Sequence, residues 1–317
     1  MSKTIASESI KNPLTRSGLD KKSLCDYVVN IATGCLHSCN FCYVPSTPTV
    51  RMRGQELRDR GVEDPQMNWG EYLFIRENLP ESLERQLKSQ RTWVNSASGR
   101  GVVMLCSTTD PYQNSQCAKV TRAAVKILLQ HNKRVRILTR SPLWVKDLDI
   151  LTHPNVTVGM SIPHADDVLS RRIEPGAPLP EDRLKAMKVG FKAGCRLYVA
   201  MAPTPPMMGY REFYRHLETL MQFEPEVIFF EPVNARGSNG KPMAAAGLEW
   251  AKDVMEKTSW ASNFLRQWAC LEAAAKDLDD LGCSDRLHIW TDSGLSGHLP
   301  QDEIEKWWYK PTPEKWN

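Results

Sequence analysis

Short apolar, β-branched runs recur along the chain and alternate with stretches whose apolar residues fall at helical spacing. "CDYVVNIA" (25–32), "EYLFIR" (71–76), "GVVMLC" (101–106), "RVRILT" (134–139), "VTVGMSI" (156–162), "CRLYVAMA" (195–202), "EVIFFEPV" (226–233) and "RLHIWT" (286–291) each read as a buried strand. Most are followed by turn chemistry and then a helical stretch such as "SLERQL", "TRAAVKILLQ", "EDRLKAMKVGFKA" or "YREFYRHLETLM". Strands alternating with helices imply βαβ units and a parallel sheet. The six to eight units suit a (β/α) barrel, full or partial, in which chemistry sits at the C-terminal ends of the strands.

The pattern divides the chain into three parts. Residues 1–25 are polar and expected to be an arm, residues 26–232 hold the barrel core, and residues 233–317 are an extension expected to close the barrel. The last 80 residues hold seven of the ten tryptophans (Trp250, Trp260, Trp268, Trp290, Trp307, Trp308, Trp316) and two helical stretches. Neither an internal repeat nor a low-complexity tract is visible. With 317 residues, 41% hydrophobic and 25% charged, the composition is that of a globular protein with a sizeable core. The net charge of +4 permits a polyanionic partner without arguing for one.

No run of 18 apolar residues suggests a membrane span, and the opening stretch has no apolar signal-peptide core, so the expected compartment is the cytosol. An odd number of cysteines, nine, then points to reduced thiols or metal ligands rather than a disulfide framework. Three of them crowd into "GCLHSCNFCYVP" (34–45) with the spacing C-x3-C-x2-C: Cys35, Cys39 and Cys42. A structural zinc takes four protein ligands. His37 lies within the run, but a Cys-x-His-x-Cys set would strain a tetrahedral site, and no second CxxC exists. A [4Fe–4S] cluster held by three thiolates leaves its fourth iron open to an exchangeable ligand, which suits the count.

With Phe41 just before the last cysteine, this stretch resembles the signature of the radical S-adenosylmethionine (SAM) superfamily. The resemblance implies an α/β fold, a partial or full (β/α) barrel of the radical SAM type, here with a helical, Trp-rich C-terminal extension. It implies two cofactors, the [4Fe–4S] cluster and S-adenosylmethionine, the latter chelated by the open iron through its amino and carboxylate groups. Reductive cleavage of SAM would yield methionine and a 5′-deoxyadenosyl radical that abstracts hydrogen from a substrate. An electron donor such as flavodoxin or ferredoxin is implied as a partner.

Further stretches, "FIRENLPESLERQL" (74–87), "CSTTDPYQNSQCAKVTRAAVKILLQ" (106–130), "RVRILTRSPLWVKDLDIL" (134–151) and 161–206, resemble the spore photoproduct lyase-like branch, often called DNA repair photolyase-like. Carried over position by position, Phe41 and Tyr43 lie against cluster and adenine, or simply pack in the core. Ser107, Thr109 and Asp110 of "STTDPY" reach the barrel mouth, where Asp110 either meets the SAM ammonium or caps its own turn ahead of Pro111. Thr139 and Arg140 end the next strand; Arg140 stands where the family usually has a lysine facing the SAM carboxylate. Ser161 is expected near the sulfonium or ribose. Arg171, Arg172 and Glu174 form either an ion-pair group around a turn or part of the SAM site.

The chain also departs from the pattern. Gln116, beside Cys117, replaces an expected acid. Spore photoproduct lyase returns hydrogen to its product radical from a cysteine; Cys106 lies about one residue from that place, and a one-residue shift on a strand reverses the side chain. Cys106 is therefore either the hydrogen donor or a core thiol, and Tyr112 is the second candidate catalytic side chain. Glu231, Asn234 and Arg236, and beyond them Asp292, Ser293 and His298, are expected at the mouth as substrate readers. The arginines of the 44–70 insert (Arg51, Arg53, Arg58, Arg60) are interleaved with acids and expected on a solvated helix face. The substrate is either a nucleic acid, DNA or RNA, or a small molecule or peptide; a non-catalytic Fe–S or zinc protein on the same fold is the third option.

Overall fold

The computed structural model describes residues 3–19, 24–90, 93, 101–289 and 300–302. Its strands are β1 (Thr4–Ser7), β2 (Leu14–Arg16), β3 (Tyr27–Val29), β4 (Ala32–Gly34), β5 (Tyr72–Ile75), β6 (Val102–Leu105), β7 (Arg134–Thr139), β8 (Val156–Ser161), β9 (Arg196–Thr204), β10 (Ile228–Pro232) and β11 (Leu287–Ile289). Eight form one sheet in the order β11-β10-β9-β8-β7-β6-β3-β2. Every pairing from β3 to β11 is parallel, and only the edge strand β2 runs antiparallel. Helices Leu79–Ser89, Ser115–Gln130, Pro180–Lys192 and Tyr210–Met221 alternate with the strands, as their apolar spacing predicts. The result is a partial barrel: β2 and β11 remain its two edges among the described residues. No helix among those residues is long and apolar enough to cross a membrane.

Two expected strands behave differently. The run 25–32 breaks at Asn30, so that β3 enters the main sheet while β4 leaves it. The Asn30 side chain accepts from the amides of Ser107 and Thr108 (2.9 and 3.0 Å), and its carbonyl accepts from Arg76, which fixes the bend. "EYLFIR" becomes β5 of a separate three-stranded sheet, β1-β5-β4. Apolar runs declare a buried strand without saying which sheet buries it.

Residues read as an arm supply β1, parallel to β5, and β2, antiparallel to β3. Between them Glu8, 7% exposed, receives Arg53 (2.7 Å), Arg76 (2.8 Å), Arg60 (3.4 Å) and the Thr33 hydroxyl (2.7 Å). Burial pushes its carboxyl up, but the hydrogen bonds from Arg53 and Thr33 and the charge of Arg76 outweigh that and hold it below the ordinary value. Arg53 and Arg60 thus face inward against Glu8, not out to solvent; only Arg51 and Arg58 lie on an exposed face.

The barrel interior is filled. Tyr198 and Phe229 pack edge-on at 6.1 Å, and Val28, Val102 and Met104 form a neighbouring cluster, with Leu138 against both groups. Tyr198 lies over Gly159, where a Cβ would overlap its ring, so the close approach requires glycine. Outside, the helix Lys257–Lys276 packs along Tyr210–Met221. Trp260, Phe264 and Trp268 share one face of it at four-residue spacing, in edge contacts of 5.9 and 6.2 Å, and Phe264 meets Phe230 of β10 at 6.1 Å. Trp260 and Trp268 help seal the helix layer over β10, Trp250 packs instead on the apolar cluster that holds Phe41 and Met243, and β11 lengthens the sheet. Trp290, Trp307, Trp308 and Trp316 lie outside the described residues.

His216, on the buried face of Tyr210–Met221, bonds the Ile162 carbonyl at 2.8 Å. Burial first, with His164 nearby, lowers its pKa from 6.5 to about 4. A folded-state pKa below the unfolded one gives stability that is present above pH 6.5 and lost as pH falls toward 4. The expected loss over that window is about 3 kcal/mol, at 1.36 kcal/mol per pKa unit. Denaturant midpoints between pH 7 and 4 should show this loss, and His216→Gln, which does not titrate, should flatten the profile.

Candidate active site

The cysteine loop leaves β4 through Gly34, whose φ of 91° and contact with the Tyr72 backbone exclude a side chain. Neighbouring segments then pin nearly every residue of the loop. Gln113 accepts from the Leu36 amide (2.7 Å), the His37 carbonyl accepts from Gly176 (2.9 Å), and the Asn40 amide donates to Ile173 (2.9 Å). Asn239 donates to the Phe41 carbonyl (2.9 Å) and Gln66 to that of Cys42 (3.2 Å). Conformation is therefore imposed from outside the loop, as precise placement of three side chains requires.

Cys35, Cys39 and Cys42 line one cavity of about 220 Å³, shared with the C-terminal ends of β9 and β10 and the segments after β6, β7 and β10. Burial, with Asp110 close by, pushes the Cys35 thiol up to about 12; burial together with Cys39 does the same for Cys42. These thiols stay protonated at neutral pH until a cation draws the protons off. No three His, Cys, Asp or Glu side chains among the described residues converge closely enough to hold a single metal ion. Three thiols on one cavity are a donor set a polynuclear cluster can take with one thiolate per iron, whereas a structural zinc takes four protein ligands. His37 is buried and faces Asp110, with Nδ1 3.5 Å from Oδ2.

Of the expected cofactor-binding residues, Phe41, Tyr43, Ser107, Thr109, Asp110 and Arg140 line this cavity. Asp110 also caps its turn: Oδ1 accepts from the Tyr112 amide (2.8 Å) and Thr139 Oγ1 (2.7 Å), and Oδ2 from the Arg140 amide (2.7 Å). Thr139 and Ser161 are 1% exposed and stand behind the cavity wall; Ser161 donates to the Ala202 carbonyl at 3.0 Å. Cys106 lines the cavity at the end of β6, and burial raises its pKa. Tyr112 has no exposure and donates to Asp147 (3.1 Å), away from the cavity. Glu231 at the end of β10 and Asn234 and Arg236 in the loop after it line the cavity, with Arg236 bonded to Glu231 (2.6 Å) and 5.4 Å from the Tyr43 ring centre. Asp292, Ser293 and His298 lie outside the described residues.

Glu174 receives Arg140 on one oxygen (2.6 Å) and Arg183 on the other (2.5 Å); Arg171 and Arg172, expected partners, are exposed. Burial pushes the Glu174 carboxyl up, but Arg183 and Arg140 outweigh it and keep it ionised. Arg183, 0% exposed, also donates to Ser161 (2.9 Å) and Pro178 (2.8 Å). Sequence reasoning missed it, although the signal is visible: Arg183 shares the buried helix stripe of Ala186, Met187 and Gly190, where an unpartnered cation would be costly.

The profile of the Radical SAM superfamily matches residues 29–220. Among curated proteins, uncharacterized protein ORF301 of Acidianus two-tailed virus is 29% identical over 247 residues, covering 76% of this chain and 77% of that one. Uncharacterized protein MJ0683 of Methanocaldococcus jannaschii is 25% identical over 182 residues, covering 57% and 61%. A spore photoproduct lyase variant with bound AdoMet and dinucleoside spore photoproduct superposes with a TM-score of 0.55 at 14% identity, covering 77% of this chain and 66% of that one. SuiB of Streptococcus suis bound to S-adenosylmethionine superposes with a TM-score of 0.51 at 11% identity, covering 97% of this chain and 55% of SuiB. At these identities the two structures share the fold, and the chain spans less than two thirds of either.

Replacing Glu174 by Gln leaves Arg183 buried without its counter-charge. The expected cost is about 3–5 kcal/mol, read as a lower urea midpoint of the metal-free protein.

Proposed function

The chain belongs to the radical SAM superfamily, and we propose that it is an enzyme that holds a [4Fe–4S] cluster on Cys35, Cys39 and Cys42 and SAM in the adjoining cavity. The observation that carries this is the shared wall: the three cysteines, the Asp110 turn and Arg140 all line one cavity at the C-terminal ends of the parallel strands. The cluster and SAM, when bound and reduced by a donor such as flavodoxin or ferredoxin, supply a 5′-deoxyadenosyl radical able to take a hydrogen atom from a substrate. Asp110 presents carboxylate oxygens to the SAM ammonium, and Arg140, fixed by Glu174, presents a guanidinium to the carboxylate. Thr139 orients Asp110 from behind, and Ser161 supports the Ala202 backbone. Phe41, beside Arg140 at 5.6 Å, and Tyr43 give the cavity aromatic walls. The filled interior keeps water from the reacting atoms, and the rigid walls position them. A reducing compartment such as the cytosol suits this chemistry.

The substrate favoured is a nucleic-acid lesion or nucleobase. Cys106 faces the cavity with a protonated thiol, which can return hydrogen to a product radical. A peptide is the second reading, because SuiB, solved with its precursor peptide SuiA, superposes on 97% of the chain. Binding that weakens steeply with salt for an oligonucleotide, and not for a peptide, separates the two.

The test is anaerobic reconstitution with iron and sulfide, reduction, addition of SAM and mass spectrometry for 5′-deoxyadenosine. The nucleoside is expected with the intact protein and absent, along with the cluster absorbance, from Cys39→Ala. Uptake of zinc in place of iron would leave a non-catalytic metal protein as the better description.

A further inference from the structure

Between Cys35 and Cys39 stands His37, whose side chain the proposed function leaves without a task. It is 3% exposed and lines the same cavity as the three cysteines. Gly176 donates to its carbonyl (2.9 Å), and the chain passes from it to Cys39 through Ser38 at a φ of 53°, in the left-handed region. Nδ1 of the ring stands 3.5 Å from Oδ2 of the buried Asp110. That carboxylate is itself held, by the Arg140 amide on Oδ2 and by the Tyr112 amide and Thr139 hydroxyl on Oδ1. Nε2 has no hydrogen-bond partner among the described residues. Packing does not seal it, as it seals Nε2 of His164 and Nδ1 of His216, so it opens onto the cavity that the ring lines. An imidazole with one nitrogen turned to a carboxylate and the other left free is the arrangement of a metal-ligating histidine.

We propose that His37 caps the fourth iron of the cluster through Nε2 while SAM is absent, and that SAM displaces it. The inference rests on the cluster assignment above. On a single tetrahedral ion His37 would have to share the metal with cysteines two residues to either side. On a four-iron cluster each ligand takes its own iron, and the run 35–42 supplies all four. The charges of Asp110 and Arg140, the groups assigned to the ammonium and carboxylate of SAM, both reach the His37 ring. On that reading the histidine stands where the chelating end of SAM is held. Displacement is a ligand substitution: the bond from Nε2 to iron breaks and bonds from the SAM nitrogen and carboxylate form. The ammonium proton passes to solvent, and no electron moves. Asp110 changes partner in the same event, from the Nδ1 proton to the SAM amino group. The cap shields the open iron from water until SAM arrives, and it weakens SAM binding because only the uncapped fraction is competent.

The experiment is pulsed EPR on the reconstituted, dithionite-reduced full chain, prepared with and without isotopically labelled histidine nitrogen. Without SAM, a histidine nitrogen is expected to couple to the cluster spin, with a signature that changes with the label. Unlabelled SAM should remove it. His37→Gln, which keeps a neutral donor toward Asp110, should lack it at unchanged iron content. That variant should also bind SAM about tenfold more tightly, the factor expected when about a tenth of wild-type clusters are uncapped. Wild type with its full iron content and no coupling to the labelled nitrogen overturns the cap and leaves the cluster reading standing. A labelled coupling that persists with SAM bound, or an unchanged SAM affinity in the variant, overturns the exchange. A coupling that persists in His37→Gln assigns the ligand to another histidine. Failure of the wild type to assemble a cluster overturns the functional reading itself, and is recognised first, from iron and sulfide content.

Discussion

Glu174 is buried to 1% exposure and gives one oxygen to each of two guanidiniums. Through Arg140 it reaches the end of β7 and the carbonyl of Ala202 on β9; through Arg183 it reaches the end of β8. Its own turn carries Gly176, which bonds into the cysteine loop at His37. Three strand ends and the cysteine loop therefore share one ionised carboxylate that water cannot reach. Such a charge survives burial only while both partners remain. Arg140 accordingly has two tasks: it balances this centre and forms part of the cavity wall.

The side sheet extends the same logic outward. Glu8 takes guanidiniums from the 44–70 insert and from the residue after β5, so the N-terminal strands are bound to the insert that flanks the cysteines. Gln66 of that insert bonds Cys42, and Ser46 meets both Gln66 and the loop after β10. Segments far apart in sequence thereby constrain one short loop, and no single contact holds it.

Much of this was legible in the chain. The helix Tyr210–Met221 has the bounds its spacing predicts, and the main-sheet strands after β3 fall where the apolar runs place them. The three cysteines were readable as one group because all lie within eight residues, so no tertiary contact had to be inferred to bring them to one cavity. The partners of Glu174 were not, since their pairing crosses loops and helix faces that local periodicity does not connect. Tyr112 misled through its nearness to Asp110: the Asp110 side chain captures the Tyr112 amide, and that turn sends the ring inward to Asp147. The fate of "EYLFIR" hung on the bend at Asn30, a polar residue inside an apolar run.

Leu138 both lines the inner cavity and packs on the side chains that fill the barrel below, with Tyr198 seated on Gly159. The barrel is therefore a well with a floor rather than a passage. Nothing that enters can pass out through the bottom, so the molecule that binds deepest goes in before whatever lies above it and comes out after it. Under the proposed function, turnover in such a vessel is a queue, with spent SAM at the bottom waiting for the product above it to clear.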